Sequence, residues 1–439
     1  MSDALPLPPR PNLEQYKKLA KDLQHACKSG DPAAIHEWAA RWAENIARLQ
    51  GLQMTPEVRR QITHEAERIE RRWHRLKKTN EHFAGCSLTD AQFFVARGHG
   101  FAGWPKFREH LEALVRANSL VSAFEATADA IVTGDLATLK KLLNGNPDLV
   151  RARSTREHRS TLLHYASANG VEDFRQKTPK NIVEITGLLL KAGADVNAES
   201  DAYGGRSTTL GLAATSYHPQ RAGVQIPLLE LLIDHGAIID GPDGGSTVNA
   251  CLRNGRGDAA EFLANRGARL DLEGAAGAGQ LDLVKSFFQR DGKLKPPATQ
   301  EQMNDGFAWA CEFGRTRVVD FLLQRGMHVD AKLRHDRQTG LHWAAFEGHV
   351  DTVRLLLDRG APIDVKDETY EGTPLDWALY GWGAPERPPR KSYHEVVALL
   401  VRAGAKLAPE WYENNEERRR IAERIRSDQR MLAALRGEV

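Results

Sequence analysis

Apolar positions across residues 338–364, QTGLHWAAFEGHVDTVRLLLDRGAPID, fall into two short helical stripes with a glycine between them. Leu341, Ala344 and Ala345 take the i, i+3, i+4 spacing of one buried face, and Thr339 stands where a hydroxyl caps the helix start. Gly348 can adopt positive φ and end this helix. Val350, Val353, Leu356 and Leu357 then mark a second stripe, closed by Gly360. Alanine at 344 and 345 permits close approach of a neighbouring unit. Helices this short are marginal in water alone, so the pattern calls for stacked copies.

The copies are present. Phe307, Leu341 and Leu375 are spaced 34 apart, as are Gly292, Gly326 and Gly360, and a period of this size means a solenoid. A worn first copy from about Ser122 has Gly134 after its first helix and Leu139, Leu142 and Leu143 in its second. Others begin at Thr161, Thr208, Ser246, Leu272, Asp305, Thr339 and Thr373. The copy at Leu272 has lost its outer finger, since Val248 and Leu272 are equivalent positions only 24 apart. Insertions interrupt the pattern near 171–181, 219–225 and 384–391, the last proline-rich and basic.

Before the copies, helical periodicity runs from about Asn12 (Leu13, Tyr16, Leu19, Leu23), through Ile35, Trp38, Trp42 and Ile46, and over 56–80 with Ile62, Ala66, Ile69 and Trp73. Ser87 and Asp90 have the spacing of a capping box, and Pro105 suits the first turn of a further helix. After Pro409, Trp411, Ile421, Ile425, Leu432 and Leu435 line an otherwise charged helix, expected to cover the exposed end of the stack.

The motif T-x-L-H-x-A-A-x-x-G-H with L-L-L-x-x-G-A-x-x-D resembles the ankyrin repeat over residues 122–408. The lead, from NLEQYKKLAKDL to GFAGWPKFREHLEAL, is similar to the helical leader before ankyrin repeats in many bacterial proteins. The resemblance implies an all-α ankyrin-repeat solenoid of about eight helix-turn-helix repeats with short hairpin fingers, after a small helical domain. The expected division is 1–118, 119–408 and a 409–439 cap. It further implies that His164 and His342 are structural, and that a partner protein is bound through groove and fingers.

Charge changes this little. Sixty basic and 58 acidic side chains leave a net +2, so nothing global points to nucleic acid or an anionic membrane. The arginine-rich helix 56–80 (Arg59, Arg60, Arg68, Arg71, Arg72, Arg75, Lys77, Lys78) is interleaved with glutamates. With the 384–391 loop (Arg387, Arg390, Lys391) it supports a competing nucleic-acid reading. Cys27, Cys86, Cys251 and Cys311 are far apart and read as reduced thiols. With no signal-like start and no long apolar run, a cytoplasmic monomer is expected.

No catalytic motif stands out. His335, His342 and His349 are spaced by seven but fall in a finger, a helix and a turn, which does not suit a metal. Gly98 to Gly103 formally matches G-x-G-x-x-G but leaves a helix, with no strand before it. No enzyme activity, cofactor or metal is expected. The binding candidates are aromatic and finger residues. Trp309, Trp343 and Trp377 share one slot in three consecutive copies, either packing between helices or lining the groove, and Tyr380 and Trp382 follow. The fingers add Arg156, His158, Tyr203, Arg206, Arg334, His335 and Tyr370.

Overall fold

Aromatic residues organise the packing of the N-terminal helices. In the computed structural model, which describes residues 4–8, 11–79, 86–116, 119–241, 245–332, 337–384, 392–407 and 416–438, these helices are α1 (Leu13–Lys28), α2 (Ala34–Leu49), α3 (Pro56–Thr79), α4 (Leu88–Gly98) and α5 (Trp104–Leu114). Trp38, Trp42, Trp73 and Phe94 fill the space between them, and Trp38 Nε1 donates to the Leu19 carbonyl at 3.0 Å. The Ser87–Asp90 capping box forms as expected. The segment 98–103 is the turn between α4 and α5. A strap before α1 closes over it: Leu5 N–H donates to the Gly98 carbonyl at 2.8 Å, and His99 Nδ1 donates to Leu5 O at 3.0 Å.

One expectation is corrected here. Cys27 and Cys86 are joined in a disulfide, although 59 positions separate them. Packing of α4 on α1 brings the end of α1 beside the segment that enters α4, a proximity that linear spacing conceals. Cys251 and Cys311 are buried thiols.

The chain divides into two compact units, Met1–Ile238 and Ile239–Val439. Within the first, the copies form α6 (Leu120–Thr133) with α7 (Leu136–Gly145), then a 3-10 helix Leu162–Ser167 with α8 (Ile182–Lys191). The third copy is α9 (Thr209–Thr215), α10 (Tyr217–Arg221) and α11 (Gln225–Asp234). One finger is a short antiparallel hairpin of β1 (Glu199–Ser200) and β2 (Ser207–Thr208). The helical lead and the first three copies share the first unit.

The second unit contains the pairs α12 (Thr247–Arg253) and α13 (Gly257–Asn265), α14 (Leu272–Gly277) and α15 (Leu281–Ser286), α16 (Gln300–Glu312) and α17 (Thr316–Gln324), α18 (Gly340–Glu347) and α19 (Val350–Asp358), and α20 (Pro374–Gly383) and α21 (Ser392–Arg402). First helices pack on first helices through small residues. A methyl on Gly306 would meet Ala276 Cβ at 2.8 Å, and one on Gly340 would meet Cys311 Sγ at 2.7 Å. The tail is two helices, α22 (Glu416–Ser427) and α23 (Gln429–Ala434), where one was expected. Asp428 breaks them apart by capping α23, its Oδ1 accepting Arg430 N–H and Met431 N–H at 2.9 and 3.0 Å. Ile421 and Ile425 join the core of the last pair. Among the described residues, no helix is long and apolar enough to cross a membrane.

His164 and His342 do what the resemblance implied. His342 Nδ1 accepts from Thr339 N–H at 3.1 Å, while Nε2 donates to Gly372 O in the next copy at 3.2 Å. His164 repeats the arrangement with Thr161 and Ser207 O. Burial lowers the His164 pKa to about 4, so both imidazoles act as neutral hydrogen-bonding struts.

Candidate interaction surface

The finger turns share a backbone device. Arg159, Arg206, Arg337 and Glu371 have φ of 47°, 58°, 54° and 50°, and each lies two positions before the threonine that starts the following first helix. Left-handed backbone is uncommon outside glycine. Its recurrence at one register shows that every such finger is turned by the same local geometry.

The finger before α20 is built around Asp367. Its Oδ1 accepts Thr369 N–H at 3.0 Å and Tyr370 N–H at 2.7 Å; its Oδ2 accepts Gly372 N–H and Trp377 Nε1–H, both at 2.9 Å. Burial would raise this carboxyl, but those four donors outweigh it and hold its pKa below the ordinary range. The same carboxylate therefore fixes the loop and orients the indole of Trp377.

Around that indole an aromatic cluster gathers. Trp343 and Phe346 each approach Trp377 with ring centroids 5.3 Å apart and near-perpendicular planes, and Tyr370 does so at 6.1 Å. Trp343, Phe346 and Trp377 are half-buried and Tyr370 is 62% exposed. Trp309 lies one copy earlier, stacked on Phe313 at 6.4 Å, with Nε1 donating to Glu273 Oε1 at 3.1 Å. These tryptophans are thus packed between helices on one side and open on the other. Edge-to-face pairs of this kind give rigid aromatic area at low conformational cost.

The remaining candidates separate. Tyr380 is 39% exposed, and burial together with a hydrogen bond to Glu417 of α22 pushes its hydroxyl up to about 12. Trp382, expected at a binding surface, is core instead. It is buried, the Arg424 guanidinium lies 4.3 Å over its ring, and Arg424 Nη1 donates to its carbonyl at 3.1 Å. The tail helix that the sequence placed as a cap is what covers it.

Arg156 and His158 are likewise interior. Arg156 Nη1 donates to Glu125 Oε1 at 2.6 Å and Glu172 Oε1 at 2.8 Å, while Arg175 reaches Glu125 Oε2 and Asp129 Oδ1, both at 2.7 Å. Tyr165 O–H donates to Glu172 Oε1 at 3.2 Å, and His158 Nε2 lies 3.5 Å from that oxygen. A finger residue becomes buried because the inserted segment carrying Glu172 and Arg175 folds beneath it. Tyr203, in the first unit, is 66% exposed and donates to Asn169 Oδ1 at 2.6 Å; Arg206 is exposed. Arg334, His335 and residues 385–391, with Arg387, Arg390 and Lys391, lie outside the described residues, as does Trp411.

Sequence reasoning passed over Asp367, Phe346 and Phe313. The D-E-T-Y-E-G run signalled an Asx-type turn at Asp367, and Phe346 is spaced three from Trp343 on the same helix face.

The family model described as ankyrin repeats (3 copies) matches residues 272–367 and 307–409. The crystal structure of the human ASB11 ankyrin repeat domain matches at 21% identity over 64% of this chain and 99% of that one, with a TM-score of 0.32. No curated protein matches the chain. The fold is mostly helical and contains ankyrin repeats.

Proposed function

We propose that this chain is a non-catalytic interaction module that captures a partner protein through the groove and fingers of its repeats. The observation carrying this reading is the cluster of Trp343, Phe346, Tyr370 and Trp377, whose rings come from two consecutive first helices and the finger between them. Aromatic anchors of this kind dominate interface energetics, and an anchor already held by Asp367 loses little freedom on binding. Ankyrin repeats generally mediate protein–protein interaction, which agrees with this use. Residues 1–118 serve as a helical leader and the protein acts as a cytoplasmic monomer.

The test is affinity purification with mass spectrometry, comparing wild type with Tyr370→Ala and Trp343→Ala. A partner lost from both variants, while their melting temperatures stay near wild type, supports the assignment. Capture unchanged per folded molecule removes the aromatic face from consideration. The competing partner is a nucleic acid contacting helix 56–80 and the 384–391 loop; capture abolished by nuclease treatment selects it.

A further inference from the structure

The Lys77 ammonium touches both sulfurs of the Cys27–Cys86 bridge. Ile62, Ala66, Ile69 and Trp73 turn one face of α3 into the core, and this fixes where the rest of the helix stands. Lys77 follows Trp73 by four positions, so it lies on the same side one turn later. Its Nζ sits 5.9 Å from the Trp73 ring and donates to Cys27 Sγ at 3.3 Å and to Cys86 Sγ at 3.6 Å. Both cysteines are half-buried, so the bridge is open to a small reagent.

The two sulfurs are not equivalent. Cys27 is the next-to-last residue of α1, where the unpaired carbonyls of the helix end disfavour negative charge. Cys86 directly precedes Ser87, the N-cap of α4, where unpaired N–H groups favour it. A thiolate on Cys86 is therefore supported by the helix start and by Lys77 together.

We propose that Cys27–Cys86 is a reversible thiol–disulfide site, reduced in the folded protein by a low-molecular-weight thiol. An external thiolate attacks Cys27 Sγ; as the new sulfur–sulfur bond forms, the Cys27–Cys86 bond breaks and its electron pair leaves with Cys86 Sγ. A second external thiolate attacks the external sulfur of this mixed disulfide and releases Cys27, which takes up a proton. The protein gains two electrons, and the two external thiols leave joined as a disulfide. Lys77 stabilises the departing Cys86 thiolate, which eases cleavage and favours the reduced pair. A partly exposed sulfur beside a cation is the setting in which cysteines react, and in a reducing compartment disulfides mostly serve exchange. Cys251 and Cys311 stay outside this exchange, because both are buried and burial raises their thiol pKa. Opening the bridge releases the entry to α4 from the end of α1, while the Ser87–Asp90 capping box keeps the helix start formed.

The experiment equilibrates the folded, full-length protein in mixtures of reduced and oxidised glutathione at neutral pH. Acid quenching and alkylation in denaturant then let mass spectrometry count free thiols and locate adducts. Wild type is expected to open its bridge in millimolar glutathione, with the transient adduct on Cys27. Lys77→Met should lower the reduction equilibrium constant at least tenfold, which corresponds to about 30 mV. Lys77→Arg keeps the charge and should recover to within threefold of wild type. Lys78→Met removes the same charge from the adjacent position and is expected to stay within twofold. Lys77 and Lys78 are exposed, and melting of each oxidised variant near the wild-type temperature separates loss of charge from loss of fold. A Lys77→Met constant equal to that of wild type, a bridge reduced only after unfolding, or an adduct confined to Cys86 overturns the proposal.

Discussion

Arg156 Nη1 lies 2.8 Å from Glu172 Oε1 in the interior of the first unit, with side-chain exposures of 1% and 0%. Breaking a buried pair by removing one partner costs about 3–5 kcal/mol, because the other charge is left stranded in a poor solvent. Arg156→Met and Glu172→Gln are each expected to destabilise by that order in urea unfolding. The double variant should cost clearly less than their sum, since neither charge then remains. Strict additivity would mean the two groups do not stabilise one another.

The same interior makes stability depend on pH in two steps. Burial lowers the pKa of both His110 and His164 to about 4, against 6.5 in an ordinary setting. Between those values the unfolded chain takes up protons that the folded chain refuses. Stability is therefore full above about pH 6.5 and falls as pH drops toward 4, by up to about 1.4 kcal/mol per pH unit for each group. Glu125 follows. Burial would raise it, but Arg156 and Arg175 outweigh burial and hold it at about 2 against an ordinary 4.5, so its contribution is lost from pH 4.5 down to 2. Urea midpoints measured from pH 8 to 3 should decline below 6.5; a flat profile from 7 to 4 would show that these histidines are not held neutral.

Helix pairs, glycine stops and the linking role of His164 and His342 were legible because they depend on near neighbours in a fixed period. What stayed hidden depends on groups that meet only through the fold. Arg156 and His158 read as exposed finger residues because the insertion beneath them, with Glu172 and Arg175, has no repeat pattern to place it. Glu125 stood in an apolar helix beside Phe124, Ala128 and Ile131, and an acid at that position was the sign of a buried counter-charge. Trp382 read as surface because the charged tail gave no register for Arg424.

The Cys27–Cys86 bridge closes a loop that runs from the end of α1 through α2 and α3. For a sequence separation of 59, chain entropy places its contribution at about 4 kcal/mol, a ceiling that residual structure in the unfolded chain reduces. Cys27→Ser is expected to lower the melting temperature under non-reducing conditions and to leave it unchanged relative to fully reduced wild type. Alkylation gives an independent check. Cys251 and Cys311 are buried, and burial also raises their thiol pKa, that of Cys251 to about 12. Mass spectrometry should find two alkylated sites after unfolding without reductant and four after unfolding with it; four in both would disprove the bridge.

Asp367 couples the finger to the aromatic cluster, and its removal should separate loop order from global stability. Its carboxylate accepts three backbone donors of residues 369–372 and the Trp377 indole. Asp367→Ala strands all four, while the packing beneath them, of Leu375, Ala378 and Leu379, is untouched. Local opening free energies in a repeat array range from near zero up to the global value, and the finger should shift to the low end. Hydrogen exchange at Tyr370 and Gly372 is expected to accelerate by ten- to a hundredfold, with the amides of α18 and α19 changing little. Asp367→Asn retains acceptor capacity on one oxygen and should fall between. Uniform acceleration across α18 to α21 would instead make Asp367 a determinant of the whole stack and not of its finger.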